Sequence, residues 1–264
     1  MLKMIGVSLI GITHKNRGDK LQDFFGIHLN DTSTVIDNSE DHTTITRGLR
    51  GSDPAFVFVA DGAGSARHGG DGARYAVNSA IDFVRGNSSI NEQPEELLRG
   101  ILRAALDGIK RGTNELNVGI DGLATTFIAL YVRGRECFSV SVGDGYVIID
   151  DGNELRLLNE PVKGEYFNET LFITSPEVVR AIEGGSVDVR RGGCNAFVVV
   201  TDGLWPTIIG GKPYERFYRP IIDYLRGNDV GKAVNEVLNL LRSVQERYSS
   251  VYDDDLTMVV GTYE

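Results

Sequence analysis

Short apolar runs recur along the chain, and most of them end in a turn signal. Ile5–Thr13, Phe24–His28 and Ala55–Ala60 read as strands, the last running straight into Asp61-Gly62. From Gly69 to about Arg85 the period changes. Ala73, Ala76, Val77, Ala80, Ile81 and Val84 recur every three or four residues, which predicts an amphipathic helix. A second helix is expected from Glu95 to about Leu116, on the stripe Leu97, Leu98, Ile101, Leu102, Ala105 and Ile109. The middle of the chain reads as an antiparallel meander of Thr125–Val132, Cys137–Val142, Tyr146–Asp150 and Leu155–Asn159, with glycine turns between them. Phe197–Thr201 is a further strand and again ends in Asp-Gly. A helix from about Gly231 to Arg247 and a strand Leu256–Thr262 follow. Strands interleave with long helices but without βαβ alternation. That predicts an α+β architecture of packed, largely antiparallel sheets covered by helices, not a doubly wound parallel sheet.

Of the 264 residues, 41% are apolar, enough for a substantial core, and the chain is expected to form a single domain over residues 1–264. The formal charge of −10 disfavours nucleic acid as a partner. The longest apolar runs are too short to span a membrane. The opening segment, residues 1–19, lacks a clear small-residue cleavage site and reads as the first strand rather than a signal peptide. A soluble, cytoplasmic protein is expected. Cys137 and Cys194 have no Cys or His at metal-ligand spacing and are expected to be two reduced thiols in or near the core.

The chemistry lies in the acids. Asp61, Asp144, Asp202 and the triplet Asp253-Asp254-Asp255 each sit at the end or start of an apolar strand, beside glycine or another acid, and Gln22-Asp23 precedes another strand. One Asp-Gly at a strand end is ordinarily a turn. Recurrence changes the reading, because strand ends meet at a sheet rim, where loops gather and sites form. Converging carboxylates would repel one another without a cation, and an all-oxygen donor set suits Mg²⁺ or Mn²⁺ better than zinc.

In order, Gly11-Ile12-Thr13-His14, Gln22-Asp23, Ala60-Asp61-Gly62-Ala63-Gly64-Ser65, Gly122-Leu123-Ala124-Thr125-Thr126, Val142-Gly143-Asp144-Gly145, Thr201-Asp202-Gly203-Leu204-Trp205 and Asp254-Asp255-Leu256-Thr257 span nearly the whole chain. This ordered set resembles the PPM family of metal-dependent Ser/Thr phosphatases (the protein phosphatase 2C type), in its bacterial branch. The resemblance implies a four-layer α-β-β-α sandwich with a metal site at one end of the sheets. It implies that Asp61 bridges two Mg²⁺ or Mn²⁺ ions, that Gly62 binds one through its carbonyl, and that Asp202 and Asp254 are further ligands. Asp144, with Asp202, would hold a weaker third ion, and Asp23 would act from behind through a water. Gln22 stands where many members carry an acid.

Other departures concern the phosphate. Ala63 stands where many members have His, so the usual general-acid candidate is missing. The family's phosphate-binding Arg falls on Gly18, and Arg17, one residue earlier, is taken as its replacement. His14 reads first as structural, with proton transfer as its alternative, and His68, in a glycine-rich loop, is a second proton-donor candidate. Trp205 is expected to pack in the core or at the rim. Asn159–Pro176 falls where relatives carry a flap. The implied reaction is in-line attack on the phosphorus of phosphoserine or phosphothreonine by a metal-activated water, without a covalent phospho-enzyme. The chain has no Cys-x5-Arg loop, no Asp-x-Asp nucleophile and no Gly-x4-Gly-Lys loop. The implied partners are phosphorylated proteins, with a Ser/Thr kinase or its targets as counterpart. Gln22 and Ala63 leave open a pseudophosphatase that binds phosphoproteins without turnover, and a hydrolase of small phosphoesters is a further alternative.

Overall fold

The computed structural model describes residues 1–29, 54–87, 93–159 and 170–264 in full, and 32–35 and 42–51 as backbone. In chain order the elements are β1 Leu2–Leu9, α1 Ile12–Arg17, β2 Asp23–Leu29, β3 Thr32–Val35, β4 His42–Gly51, β5 Ala55–Asp61, α2 Gly69–Gly86, α3 Pro94–Leu116, β6 Phe127–Arg133, β7 Glu136–Val142, β8 Tyr146–Asp150, β9 Leu155–Leu157, α4 Pro176–Gly184, β10 Arg190–Gly193, β11 Ala196–Val200, β12 Ile208–Ile209, β13 Lys212–Pro213, α5 Glu215–Gly227, α6 Val230–Arg247 and β14 Leu256–Tyr263.

Two six-stranded antiparallel sheets are stacked. One has the order β4-β1-β14-β11-β8-β9, the other β10-β7-β6-β5-β2-β3. Strands β1, β5 and β11 are buried on both faces, and so they read as apolar runs rather than as strict alternation. Between the sheets lies a layer that includes Met4, Phe25, Val57, Leu130, Ile149, Phe197 and Val259. Outside the second sheet, α2 and α3 bury the stripes expected of them, Ala73 to Val84 and Leu97 to Ile109, against Phe58, Phe127 and Val140. Outside the first sheet, α5 and α6 bury Ile222, Leu225, Val234 and Leu241 against Val198 and Met258. The result is the four-layer α-β-β-α sandwich.

Four expectations are corrected. The first strand stops at Leu9. Gly11 then opens the short helix α1, and Gly18, at φ 74°, closes it, so residues 12 and 13 are helical. The middle strands are not one meander. β6 and β7 pair, but β8 belongs to the other sheet, beside β11 and β9. Gly143, at φ 105°, makes the crossing possible, because the left-handed backbone there excludes most side chains. Cys137 and Cys194 form a disulfide rather than two thiols, with Cα atoms 5.7 Å apart. β10 runs antiparallel to β7 and pairs Gly192 with Cys137, so Cys194, two residues on, returns alongside it. Trp205 is 58% exposed, so it does not pack in the core.

Candidate metal centre

At one end of the sandwich the ends of strands from both sheets converge. β5 finishes at Asp61 exactly opposite the first residue of β2, Asp23, in the antiparallel register. In the other sheet β11 finishes just before Asp202, and β14 begins just after Asp254-Asp255. The β7–β8 crossing carries Asp144 from one sheet toward the other. Antiparallel pairing thus brings the end of one strand beside the start of the next. Residues nearly two hundred positions apart reach the same rim.

There they line a cavity of about 140 Å³. Its walls carry Asp61, Gly62, Asp144, Asp202 and Asp254, together with Gln22 and His14. Ala63, Thr126, Thr170 and Phe172 also line it. Thr126 anchors Asp61, whose backbone N–H donates to its Oγ1 at 2.9 Å, and Thr125 Oγ1 donates to the Asp61 carbonyl at 2.7 Å. Thr170 Oγ1 donates to Asp144 Oδ2 at 2.6 Å, so the end of the expected flap touches the site. Residues 160–169 of that flap lie outside the described residues.

The electrostatics mark a place built for positive charge. Burial, followed by the charges of Asp23, Asp202 and Asp254, pushes the Asp61 carboxyl well above the usual range. Asp202 is raised to about 6 by burial and then by Asp144, and it shares a hydrogen bond with Asp61. Asp254 stands partly exposed, and desolvation still raises its carboxyl, against the backbone N–H of Asp255 that donates to it. Asp23 is fully buried, and desolvation followed by the Asp255 charge raises it well above the usual range, while Thr201 Oγ1 donates to it at 2.8 Å. The Oε1 atom of Gln22 is buried and has no hydrogen-bond partner among the described residues. A buried amide oxygen left in that state is costly unless a ligand accepts its lone pairs. The donors are all oxygens, which fits a hard divalent cation. Asp61, Asp202, Asp254, the Gly62 carbonyl and Gln22 Oε1 would hold it, with Asp144 beside them and Asp23 behind.

One neighbour in the acidic triplet has a different task. Asp255 is 2% exposed, and its carboxylate accepts the Gly11 N–H at 2.6 Å, the Gln22 N–H at 2.7 Å and His14 Nδ1 at 3.0 Å. It therefore fixes α1, the Gln22 wall and His14 relative to β14. Sequence reasoning placed this residue in the triplet but gave it no role of its own. The signal was present in the alternation Asp255, Thr257, both turned inward and both hydrogen-bonded. The hydrogen bond to Asp255 outweighs burial and raises His14 to about 8.

Not every expected residue arrives. Arg17 ends α1, is exposed, and is not among the residues lining the cavity. Among the described lining residues, His14 is the one basic side chain. His68 lines a neighbouring groove instead, with Nδ1 3.1 Å from Asp71.

Comparison with known proteins agrees with this geometry. A family described as protein phosphatase 2C matches residues 37–239. Serine/threonine-protein phosphatase 3 of Escherichia coli K12 is 28% identical over 218 residues, covering 78% of this chain and 83% of that protein. Two solved structures share the fold. The serine/threonine phosphatase Stp1 from Staphylococcus aureus has TM-score 0.68 at 14% identity, with 100% of this chain and 96% of that one covered. The catalytic domain of the serine threonine protein phosphatase PstP, solved with two manganese ions, has TM-score 0.60 at 14% identity, with 99% of each covered. A match over most of the sequence, on a sandwich whose strand ends gather these carboxylates, means that this chain belongs to the protein phosphatase 2C family.

Proposed function

We propose that this cavity is where the chain hydrolyses phosphoserine and phosphothreonine in proteins, and that the residues named above hold two Mg²⁺ or Mn²⁺ ions, with Asp144 and Asp202 serving a weaker third. The family is metal-dependent and its relatives are Ser/Thr phosphatases. The observation that carries the assignment to this place is the convergence of Asp61, Asp202, Asp254 and Asp144, from both sheets, on one cavity with the unpartnered Gln22 oxygen. When bound, such cations acidify a water and offset the negative charge of the phosphoryl oxygens.

The chain's own groups do the rest. Asp61 and Asp202, whose carboxyls are raised by burial and by neighbouring acids, would hold a cation in their ionised form. Asp23, behind them in a dry setting, orients a water through its carboxylate. His14, held at Nδ1 by Asp255, keeps Nε2 for the phosphate, in the role expected of Arg17, or for protonating the departing Ser or Thr oxygen. Retention of Asp61, Asp202 and Asp254 in one cavity supports turnover over phosphoprotein binding alone.

The phosphatase acts on phosphorylated proteins, opposite a Ser/Thr kinase, in the cytoplasm. Among the described residues no helix is long and apolar enough to cross a membrane. A disulfide persists in oxidising surroundings, so a cytoplasmic setting requires Cys137 and Cys194 to be reduced in the cell, and thiol alkylation of freshly lysed cells reads this.

The decisive experiment is hydrolysis of an aryl phosphate and of a phosphothreonine peptide with Mn²⁺ and again with a chelator. Turnover with metal and none with chelator is expected. Turnover that survives chelation, or none with metal, would remove the assignment.

A further inference from the structure

On the other side of Gln22 lies a larger groove, of about 490 Å³, lined by Lys20, Arg67, His68 and Arg74 and by the glycines that open α2. Gln22 lines both hollows, so the groove adjoins the wall of the cavity. Two carboxylates, Asp19 and Asp71, also reach it. Asp71 is already engaged by Arg74 Nη2 at 2.9 Å and by His68 Nδ1 at 3.1 Å. Lys20 and Arg67 have no carboxylate partner among the described residues. The first turn of α2, an 18-residue helix, has no side-chain cap and adds the positive end of its dipole. A chain of net charge −10 thus presents a cationic groove beside an acidic cavity.

We propose that this groove receives an acidic side chain of the substrate protein, so that the enzyme prefers phosphoserine and phosphothreonine with Asp or Glu close by in sequence. The inference rests on the phosphatase reading, since it takes the neighbouring cavity as the seat of the phosphorylated residue. An extended peptide advances about 3.3 Å per residue, so side chains within a few positions of the phosphorylated one can cross the Gln22 wall into the groove. Exposed ion pairs are weak singly, and the preference gained is about fivefold per cation, falling as salt is added.

The test compares phosphothreonine peptides flanked by Asp and Glu with the same peptides flanked by Gln, as kcat/KM with Mn²⁺, in wild type, Lys20→Ala, Arg67→Ala and the double variant. Lys232→Ala, on α6, changes the net charge equally and serves as control. Wild type should favour the acidic peptides, and the double variant should lose that preference while its aryl phosphate turnover, its turnover of neutral peptides and its melting temperature stay put. Equal rates on both peptide sets in wild type would overturn the proposal. So would a preference that survives in the double variant, or one lost equally in Lys232→Ala. Anisotropy of labelled peptides bearing a phosphonate in place of phosphate reads the groove without turnover. The acidic peptide should bind the wild type more tightly than the double variant, and equal binding refutes the docking role. Absent aryl phosphate turnover by wild type would instead count against the phosphatase reading.

Discussion

The hollows on either side of Gln22 are made from adjoining segments and carry opposite charge. The cavity draws its carboxylates from strand ends of both sheets, so its acids are partly buried and press on one another. The groove draws its cations from the loop after α1 and from the loop and first turns of α2, where Lys20, Arg67 and Arg74 stand at the surface. Buried like charges raise pKa values and demand a counter-ion, whereas exposed charges are screened and bind weakly. On the proposed reading the difference separates affinity from selectivity: the more buried hollow would grip and react, and the more exposed one would sort.

The strongest way to break the comparison is at the cavity. Loss of a residue that supports a metal ligand from behind already costs ~10–100-fold, so Asp61→Asn or Asp202→Asn should lower Mn²⁺-stimulated aryl phosphate turnover by at least about 100-fold, with circular dichroism unchanged. His14→Gln should cost about 100-fold in kcat, in the range of a lost general acid, whereas Arg17→Ala should stay within about twofold on the same substrate. The reverse order would return the phosphate role to Arg17. Asp255→Asn keeps the shape but weakens the acceptor of two backbone N–H groups and of His14. It should lower unfolding stability by about 2 kcal/mol and weaken Mn²⁺ binding roughly tenfold, measured by denaturation and by metal titration.

The last effect concerns pH. Asp202 sits at about 6 in the fold against 3.8 when unfolded, so the metal-free fold binds the extra proton between those values. Its stability should therefore fall as pH rises from about 4 to 6 and stay lower at pH 7. Asp202→Asn should flatten that slope and raise the metal-free stability at pH 7 by about 1–3 kcal/mol, while losing the stabilisation that Mn²⁺ gives the wild type. Thermal melts across pH, with and without Mn²⁺, check both signs.

Much of this was legible in the sequence because the site lies where strands stop. The runs Ala55–Ala60 and Phe197–Thr201 declare both the strand and the acid that follows it. Helices α2, α3 and α6 showed in their stripes. Less legible was anything decided by pairing between distant segments. The turn Gly143-Asp144-Gly145 has hairpin composition, and only the packing of Tyr146 beside Val200 shows that the chain has changed sheets. Helix α5 carries Pro220 in its interior, a residue that ordinarily breaks helices. Burial of Tyr218, Ile221, Ile222 and Leu225 outweighs the lost hydrogen bond. Arg17 was placed by spacing alone, and the helical turn of α1 points a different residue, His14, inward.

The position of β14 has a consequence for synthesis. In its sheet it lies between β1 and β11, pairing with both. A nascent chain that has emerged only to residue 250 owns nearly all its acids, yet that sheet is split in two and Asp255 has not reached Gly11, 244 positions back. Catalytic competence therefore waits until β14 has left the ribosome and paired with β1 and β11. Until then the facing edges of β1 and β11 are bare, which makes the half-made protein a client for chaperones rather than an early-acting enzyme.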